Sequence, residues 1–260
     1  MRIHMKKEFI LTSMDDDTAI ITINRPPLNA MSSEAYGELY ESFYEVSKNE
    51  KVKVVILTGA GEKAFVAGAD ITEFMSLNHI TGPLYTRRNN SIREYIRQYE
   101  KPVICAVNGL AYGGGCALTL VCDIKIASEH AKFNLAEINM GILGATQYVA
   151  NIAHYGAACK LVFTGEPVDA AEALRIGLID EIVPKDRLME RSMELAKRIA
   201  SKPPMALRMA KKCMIQAQQG TLDEGLRYEE SILSTLWGSE DKNEAVRSFL
   251  EKRKPVFSGK

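Results

Sequence analysis

The sequence carries no excess of charge in either direction. Lys+Arg and Asp+Glu stand at 33 each in 260 residues, so no global field selects for nucleic acid or an anionic membrane. An anionic ligand has to be held by local groups. Metal-binding signatures are also missing. The five cysteines (Cys105, Cys116, Cys122, Cys159 and Cys213) form an odd set without a CxxC pair. That argues against a disulfide framework or a zinc site and for free thiols in a reducing cytoplasm. The four histidines are scattered, so no metal cluster is expected. The amino terminus, MRIHMKKEF, lacks the apolar run of a signal peptide. Internal repeats, low-complexity tracts and linker-like segments are absent. One uncharged stretch, residues 102–122, has the length of a membrane span. Asn108, Gly109 and the triplet Gly113-Gly114-Gly115 break it into strand, turn and helix, so no membrane association is expected.

What is present reads as an α/β chain. Hydrophobic residues make up 46% and charged residues 25%, ordinary for a globular protein, and the length suits one medium domain or a domain with a small appendage. Thr18–Ile23 (TAIITI) alternates, and residues 52–57 (VKVVIL) are rich in β-branched side chains, as strands are. Between them Tyr36, Leu39, Tyr40, Phe43 and Val46 recur at helical spacing, with Ser32 or Ser33 available as N-cap. Val103–Val107 and residues 124–126 read as further buried strands. Residues 169–176 are expected to be a helix capped by Asp169, with Glu172 at the capping-box position and Gly177 as its stop. Strands alternate with helices over residues 1–185. After Pro184 only helical patterns remain, at 187–200, 203–219, Leu222–Trp237 and 243–253, so residues 186–260 read as a helical region.

Two glycine-rich segments bear on chemistry, and a third imitates one. Gly59-Ala60-Gly61-Glu62-Lys63-Ala64 matches GxGxxA after a strand, as in dinucleotide-binding folds. The residues that follow, FVAGADI, are not an amphipathic helix, and no strand-end acid falls at the required spacing. Nucleotide binding through this turn is therefore not expected. Ala67-Gly68-Ala69-Asp70-Ile71 is a compact turn whose backbone amides no bulky side chain shields. Gly113-Gly114-Gly115 follows a buried strand and opens a helix at 116–121, where the first N–H groups lack partners and the dipole favours negative charge. Two such amides aimed at one oxygen form an oxyanion hole. Taken singly, each loop is equally a tight turn in a compact sheet.

The ordered set of motifs resembles the crotonase (enoyl-CoA hydratase/isomerase) superfamily. Asn24-Arg25-Pro26 with Leu28-Asn29-Ala30-Met31, the segment from Ala64 to Ile71, and the run from Lys101 to Gly115 followed by Cys122-Asp123 are similar to that family's motifs. So are Thr164-Gly165, residues 170–174, Gly177-Leu178, and the tail at Ser239-Glu240-Asp241 and 249–255. The resemblance implies a spiral of ββα units with C-terminal helices that assemble a homotrimer or a dimer of trimers. It implies an acyl-CoA substrate whose thioester oxygen is bound by the amides of Ala69 and Gly114, with Glu137 as acid/base. Coenzyme A, part of the substrate and not a separate cofactor, would lie along Leu28, Ala67, Gly68, Asp70, Ile71 and Gly113, with Phe249 of a neighbouring subunit at its far end.

Two departures qualify what the resemblance implies. Typical hydratases of the family carry a glutamate after the glycine triplet and a second about 20 residues on. Here the first position is Ala117 and the second is Glu137. The loop Gly141-Ile142-Leu143-Gly144-Ala145-Thr146-Gln147-Tyr148 is shorter than usual and lacks the family's Pro and Arg. Syn hydration wants one group to activate water and one to protonate the α-carbon, whereas a 1,3-proton shift needs a single base. Hydration and double-bond isomerisation are both open. A different class, a non-catalytic or RNA-binding trimeric paralogue, would also have lost a catalytic carboxylate. Intact oxyanion loops and Glu137 speak against it. Tyr85, Arg87, Arg88 and Tyr95 fall where the family varies with its substrates, without a sequence basis for ranking them.

Overall fold

A computed structural model describes residues 7–260; most of the amino-terminal stretch discussed above lies outside them. A hairpin of β1 (Ile10–Asp15) and β2 (Thr18–Ile23) leads into α1 (Ser33–Ser47). Three passes follow, each placing one strand in each of two sheets. They are β3 (Val54–Gly59) with β4 (Ala64–Val66), β5 (Val103–Val107) with β6 (Leu110–Tyr112), and β7 (Ile124–Ser128) with β8 (Lys132–Asn134). Helix α2 (Thr81–Arg97) connects the first pass to the second, and α3 (Gly114–Leu120) the second to the third. Then come α4 (Thr146–Ile152), α5 (Tyr155–Thr164), β9 (Val168–Asp169), α6 (Ala170–Arg175) and β10 (Glu181–Val183). The larger sheet runs β1-β2-β3-β5-β7-β10, parallel from β2 onward, and the smaller runs β4-β6-β8-β9. The architecture is the spiral α/β fold expected from the sequence, with helices α7 (Leu188–Ala200), α8 (Pro204–Ala217), α9 (Leu222–Trp237) and α10 (Glu240–Leu250) after it.

The central strands are continuous apolar runs because both faces are covered. On β3, Val55 and Leu57 enter the main core with Tyr36, Leu39 and Phe43 of α1, while Val54 and Ile56 face the other way onto Leu188, Ala196 and Ala200 of α7. The period-2 alternation thus feeds two separate cores. Lys211 of α8 is buried and donates to Asp123 Oδ2 at 2.7 Å, and the same oxygen accepts the Val103 amide at 2.7 Å. This ties α8 to the starts of β5 and β7, two interior strands of the larger sheet. Helix α9, by contrast, buries none of its side chains.

The local signals hold with some shifts. Ser32 caps α1, accepting the Ala35 amide at 3.2 Å, and Tyr40 points outward instead of joining its buried stripe. The uncharged stretch at 102–122 is strand, strand and helix, and among the described residues no helix is long and apolar enough to cross a membrane. Gly59 and Gly61 turn the chain directly into β4, so the helix a dinucleotide fingerprint requires is replaced by a strand. Asp169 caps α6 through the Glu172 amide at 2.8 Å, but the capping box is only half made. Asp169 itself pairs with Lys132 in the smaller sheet, and the Glu172 carboxylate turns to Arg175. Helix α2, a 17-residue element, had no counterpart in the sequence reading. All five cysteines are free thiols, three of them buried.

Candidate active site

The loops after β2 and β4 are laced together. Ala67 N donates to Leu28 O at 3.0 Å, Met31 N to Gly68 O at 2.9 Å, and Asp70 N to Met31 O at 2.9 Å. Asn29, buried in the left-handed region, holds this bundle by donating to the carbonyls of Ala60 and Ala64 at 3.0 and 2.9 Å. Asp70 is occupied locally. Its carboxylate receives Arg25 at 2.6 Å and the Thr72 hydroxyl at 2.7 Å, and these bonds hold its pKa below the usual carboxylate range. In the parallel bridge between Met31 and Ala69, the amide of Asp70 and the carbonyl of Gly68 face Met31. The N–H of Ala69 therefore points the opposite way, away from Met31.

Helix α3 starts at Gly114, so that amide is one of those a helix leaves without an internal partner. Its position is set by close packing: a Cβ on Gly115 would stand 2.0 Å from Val66 O. Only a glycine lets the helix approach β4 so nearly. A Cβ built on Gly114 would lie 3.7 Å from Ala69 N and 2.9 Å from the Tyr36 hydroxyl. The two small-residue loops therefore meet, with a buried tyrosine from α1 beside them.

Glu137 enters from the 3₁₀ turn Ala136–Met140 that follows β8. Positions for a Cβ at Gly113 and at Gly144 lie 3.2 and 2.6 Å from its Oε1, so both glycines flank the carboxylate. Oε2 is buried with no hydrogen-bond partner. Burial raises the pKa of Glu137, opposed by its own backbone amide and by the charge of Arg93. Burial likewise raises Tyr36; Arg93 counters this and Glu137 adds to it. A carboxylate that is desolvated, unpaired at Oε2 and set against Gly113 at the start of α3 can exchange a proton with a group placed beside it.

Of the residues singled out from sequence, Ala67, Gly68, Ala69, Gly113, Gly114 and Glu137 come together here. Leu28 and Ile71 are exposed at the edge of the same loops. Phe249 lies on α10 and is 83% exposed. Ala117 is fully buried in α3. Tyr36, Asn89, Arg93 and Gly144 were not anticipated as site residues. Tyr85 points inward, whereas Arg88 donates to the Ser33 carbonyl at 2.7 Å and Tyr95 packs on Tyr40 with ring centroids 4.8 Å apart. Among the described residues no group of three His, Cys, Asp or Glu side chains is placed to hold a metal ion.

A spiral α/β fold whose two glycine-bearing loops meet near a buried carboxylate is shared with known proteins. The enoyl-CoA hydratase/isomerase family model matches residues 14–260. The chain is 39% identical over 254 residues to the short-chain-enoyl-CoA hydratase of Clostridium acetobutylicum, covering 96% of this chain and 97% of that protein. It is 34% identical over 260 residues to the crotonyl-CoA hydratase of Syntrophomonas wolfei, covering 98% and 100%. The crystal structure of an enoyl-CoA hydratase from Bacillus anthracis superposes with a TM-score of 0.93 at 35% identity, covering 97% of this chain and all of that one. The chain belongs to the enoyl-CoA hydratase/isomerase family, a family of enzymes.

Proposed function

We propose that this protein adds water across the α,β double bond of an enoyl-CoA thioester. The amides of Ala69 and Gly114 hold the thioester oxygen, and Glu137 serves as the single acid/base. The buried, unpartnered Oε2 of Glu137, whose other oxygen lies against Gly113 at the start of α3, is the observation that carries this reading. Water adds to the β-carbon and gives its proton to Glu137. The electron pair of the double bond moves to the α-carbon and thioester oxygen, and the enolate then takes a proton at the α-carbon from the same carboxyl. Each amide donor in such a site contributes about 3–4 kcal/mol to the charged transition state. Coenzyme A, bound as part of the substrate, runs along Leu28, Ala67, Gly68, Asp70, Ile71 and Gly113. The apolar side chains that α9 leaves exposed, including Trp237, favour assembly as a homotrimer or dimer of trimers, in which Phe249 reaches a neighbouring subunit's coenzyme A.

Ala117 favours a second reading, movement of the double bond between the β,γ and α,β positions, because a proton shift needs only one base. Incubation with 2-enoyl- and 3-enoyl-CoA thioesters in deuterated water separates the two. Hydration gives a 3-hydroxyacyl thioester deuterated at the α-carbon from the 2-enoyl substrate. Isomerisation interconverts the two enoyl thioesters with no water added. Turnover of neither substrate by the intact protein would overturn the proposal.

A further inference from the structure

Helix α2 turns a row of polar side chains toward this site. Tyr85, Asn89 and Arg93 stand at i, i+4 and i+8, one above the other on a single helix face. Asn89 is only 4% exposed. The Tyr85 hydroxyl, Asn89 Oδ1 and Arg93 Nε are each buried, and apart from the approach of Tyr85 and Asn89 to one another none of them finds a hydrogen-bond partner. Three successive turns thus carry an unmet polar atom, in a protein class where nearly all buried polar atoms are met. Arg93 has no carboxylate within 4.0 Å among the described residues, and the one hydrogen bond of its side chain runs from Nη2 to the neutral Asn90 Oδ1 at 2.9 Å.

This face lies near the loops of the site: the Tyr85 ring meets Phe74, four residues past Asp70, edge-on with centroids 5.8 Å apart. The charge of Arg93 acts on Glu137, on Tyr36 and on Tyr148, and the Tyr85 hydroxyl senses Tyr36. Tyr36 in turn stands beside Gly114. A purely hydrocarbon acyl chain laid against this row would leave Arg93 Nε desolvated and unpaired and give Tyr85 and Asn89 no partner beyond one another, which is costly. A carboxylate on the acyl chain would accept from the Tyr85 hydroxyl and from the Arg93 guanidinium, and would supply the counter-charge that Arg93 lacks. Asn89 can join by rotating its amide so that Nδ2 faces the ligand.

We infer that the site selects acyl-CoA thioesters whose acyl chain ends in a second carboxylate, read by Arg93 with Tyr85 and Asn89. The inference rests on the acyl-CoA reading above and specifies its substrate class.

Binding of saturated thioesters, which cannot be hydrated, tests this apart from turnover. Calorimetry on the full-length protein compares glutaryl-CoA with pentanoyl-CoA and adipyl-CoA with hexanoyl-CoA, pairs of equal chain length that differ in the terminal group. Wild type is expected to bind the carboxylated member at least tenfold more tightly in at least one pair. Arg93→Met should collapse that ratio to one or below, Arg93→Lys should retain part of it, and Tyr85→Phe should lower it severalfold. Equal affinities within both pairs in wild type overturn the inference while leaving the acyl-CoA reading intact, as does a preference that survives Arg93→Met. Failure of all four thioesters to bind overturns both.

Discussion

Glu137 and Gly144 are in contact across the site: a methyl group on residue 144 would meet Glu137 Oε1 at 2.6 Å. The loop at 141–148 thus forms one wall of the carboxylate's niche. Gly144→Ala should displace the carboxylate without touching the amide pair. The expected result is a fall in kcat of at least tenfold with little change in KM, and circular dichroism like that of wild type. Unchanged kcat would show that the carboxylate's position is not set by this wall.

The amide of Gly114 can be deleted cleanly because Gly114 is the first residue of α3, the helical position that tolerates proline best. Its Cβ would still stand 2.9 Å from the Tyr36 hydroxyl, so Gly114→Pro should be made both alone and with Tyr36→Phe, which frees that space. If the amide holds the thioester oxygen, the double variant loses at least 100-fold in kcat/KM relative to Tyr36→Phe. A loss below tenfold in a folded double variant would remove Gly114 from the oxyanion site.

Truncation after Pro184 should not leave a free-standing core. It would strip Leu188, Ala196 and Ala200 from Val54, Ile56, Ile104, Ala106 and Ile126, the outer face of the larger sheet. It would also remove Lys211 from Asp123, a carboxylate whose pKa is already raised by burial. Exposing a continuous apolar face of this kind favours aggregation. Expression of residues 1–184 should give insoluble protein, seen in the pellet on fractionation; a soluble, active fragment would contradict this.

The strands and the amide loops were legible because both have short-range signals. Val103–Val107 is an unbroken apolar run, and Gly113-Gly114-Gly115 announces a close approach. Helix α2 was not legible, because its sequence, TGPLYTRRNNSIREYIR, buries only Asn89, Ile92 and Ile96, and Ile80 at its N-cap makes no side-chain hydrogen bond. Neither an apolar stripe nor a capping residue marks it. Tyr85 therefore stood only among residues that vary with substrate, and nothing local joined it to Asn89 and Arg93. Tyr36 was hidden for the opposite reason: its spacing with Leu39 and Phe43 reads as core, and only its hydroxyl reaches the site. Distances between α2 and the turn carrying Glu137 depend on two sheets meeting, which no local pattern encodes.

Glu137 sets up an opposition between activity and stability that can be measured at one position. Its carboxyl has a pKa raised by burial above the ordinary value of about 4.3. Between the ordinary and the raised value the folded protein binds more protons than the unfolded chain. Stability from this group is thus fully present below the ordinary value and lost as pH rises through the raised one. Glu137→Gln removes that ionisation while keeping the side chain's shape. The variant should lose about 10²–10⁴-fold in activity yet melt higher than wild type at pH 8. The difference in Tm should shrink as pH falls toward 4. The same raised value should place the acidic limb of kcat/KM above the ordinary glutamate range. Because the charge of Arg93 lowers the pKa of Glu137, Arg93→Met should move that limb to still higher pH. Full activity in Glu137→Gln would remove the residue from the chemistry. A variant less stable than wild type at pH 8 would show that the carboxylate is held by partners in the folded protein, contrary to its unpaired Oε2.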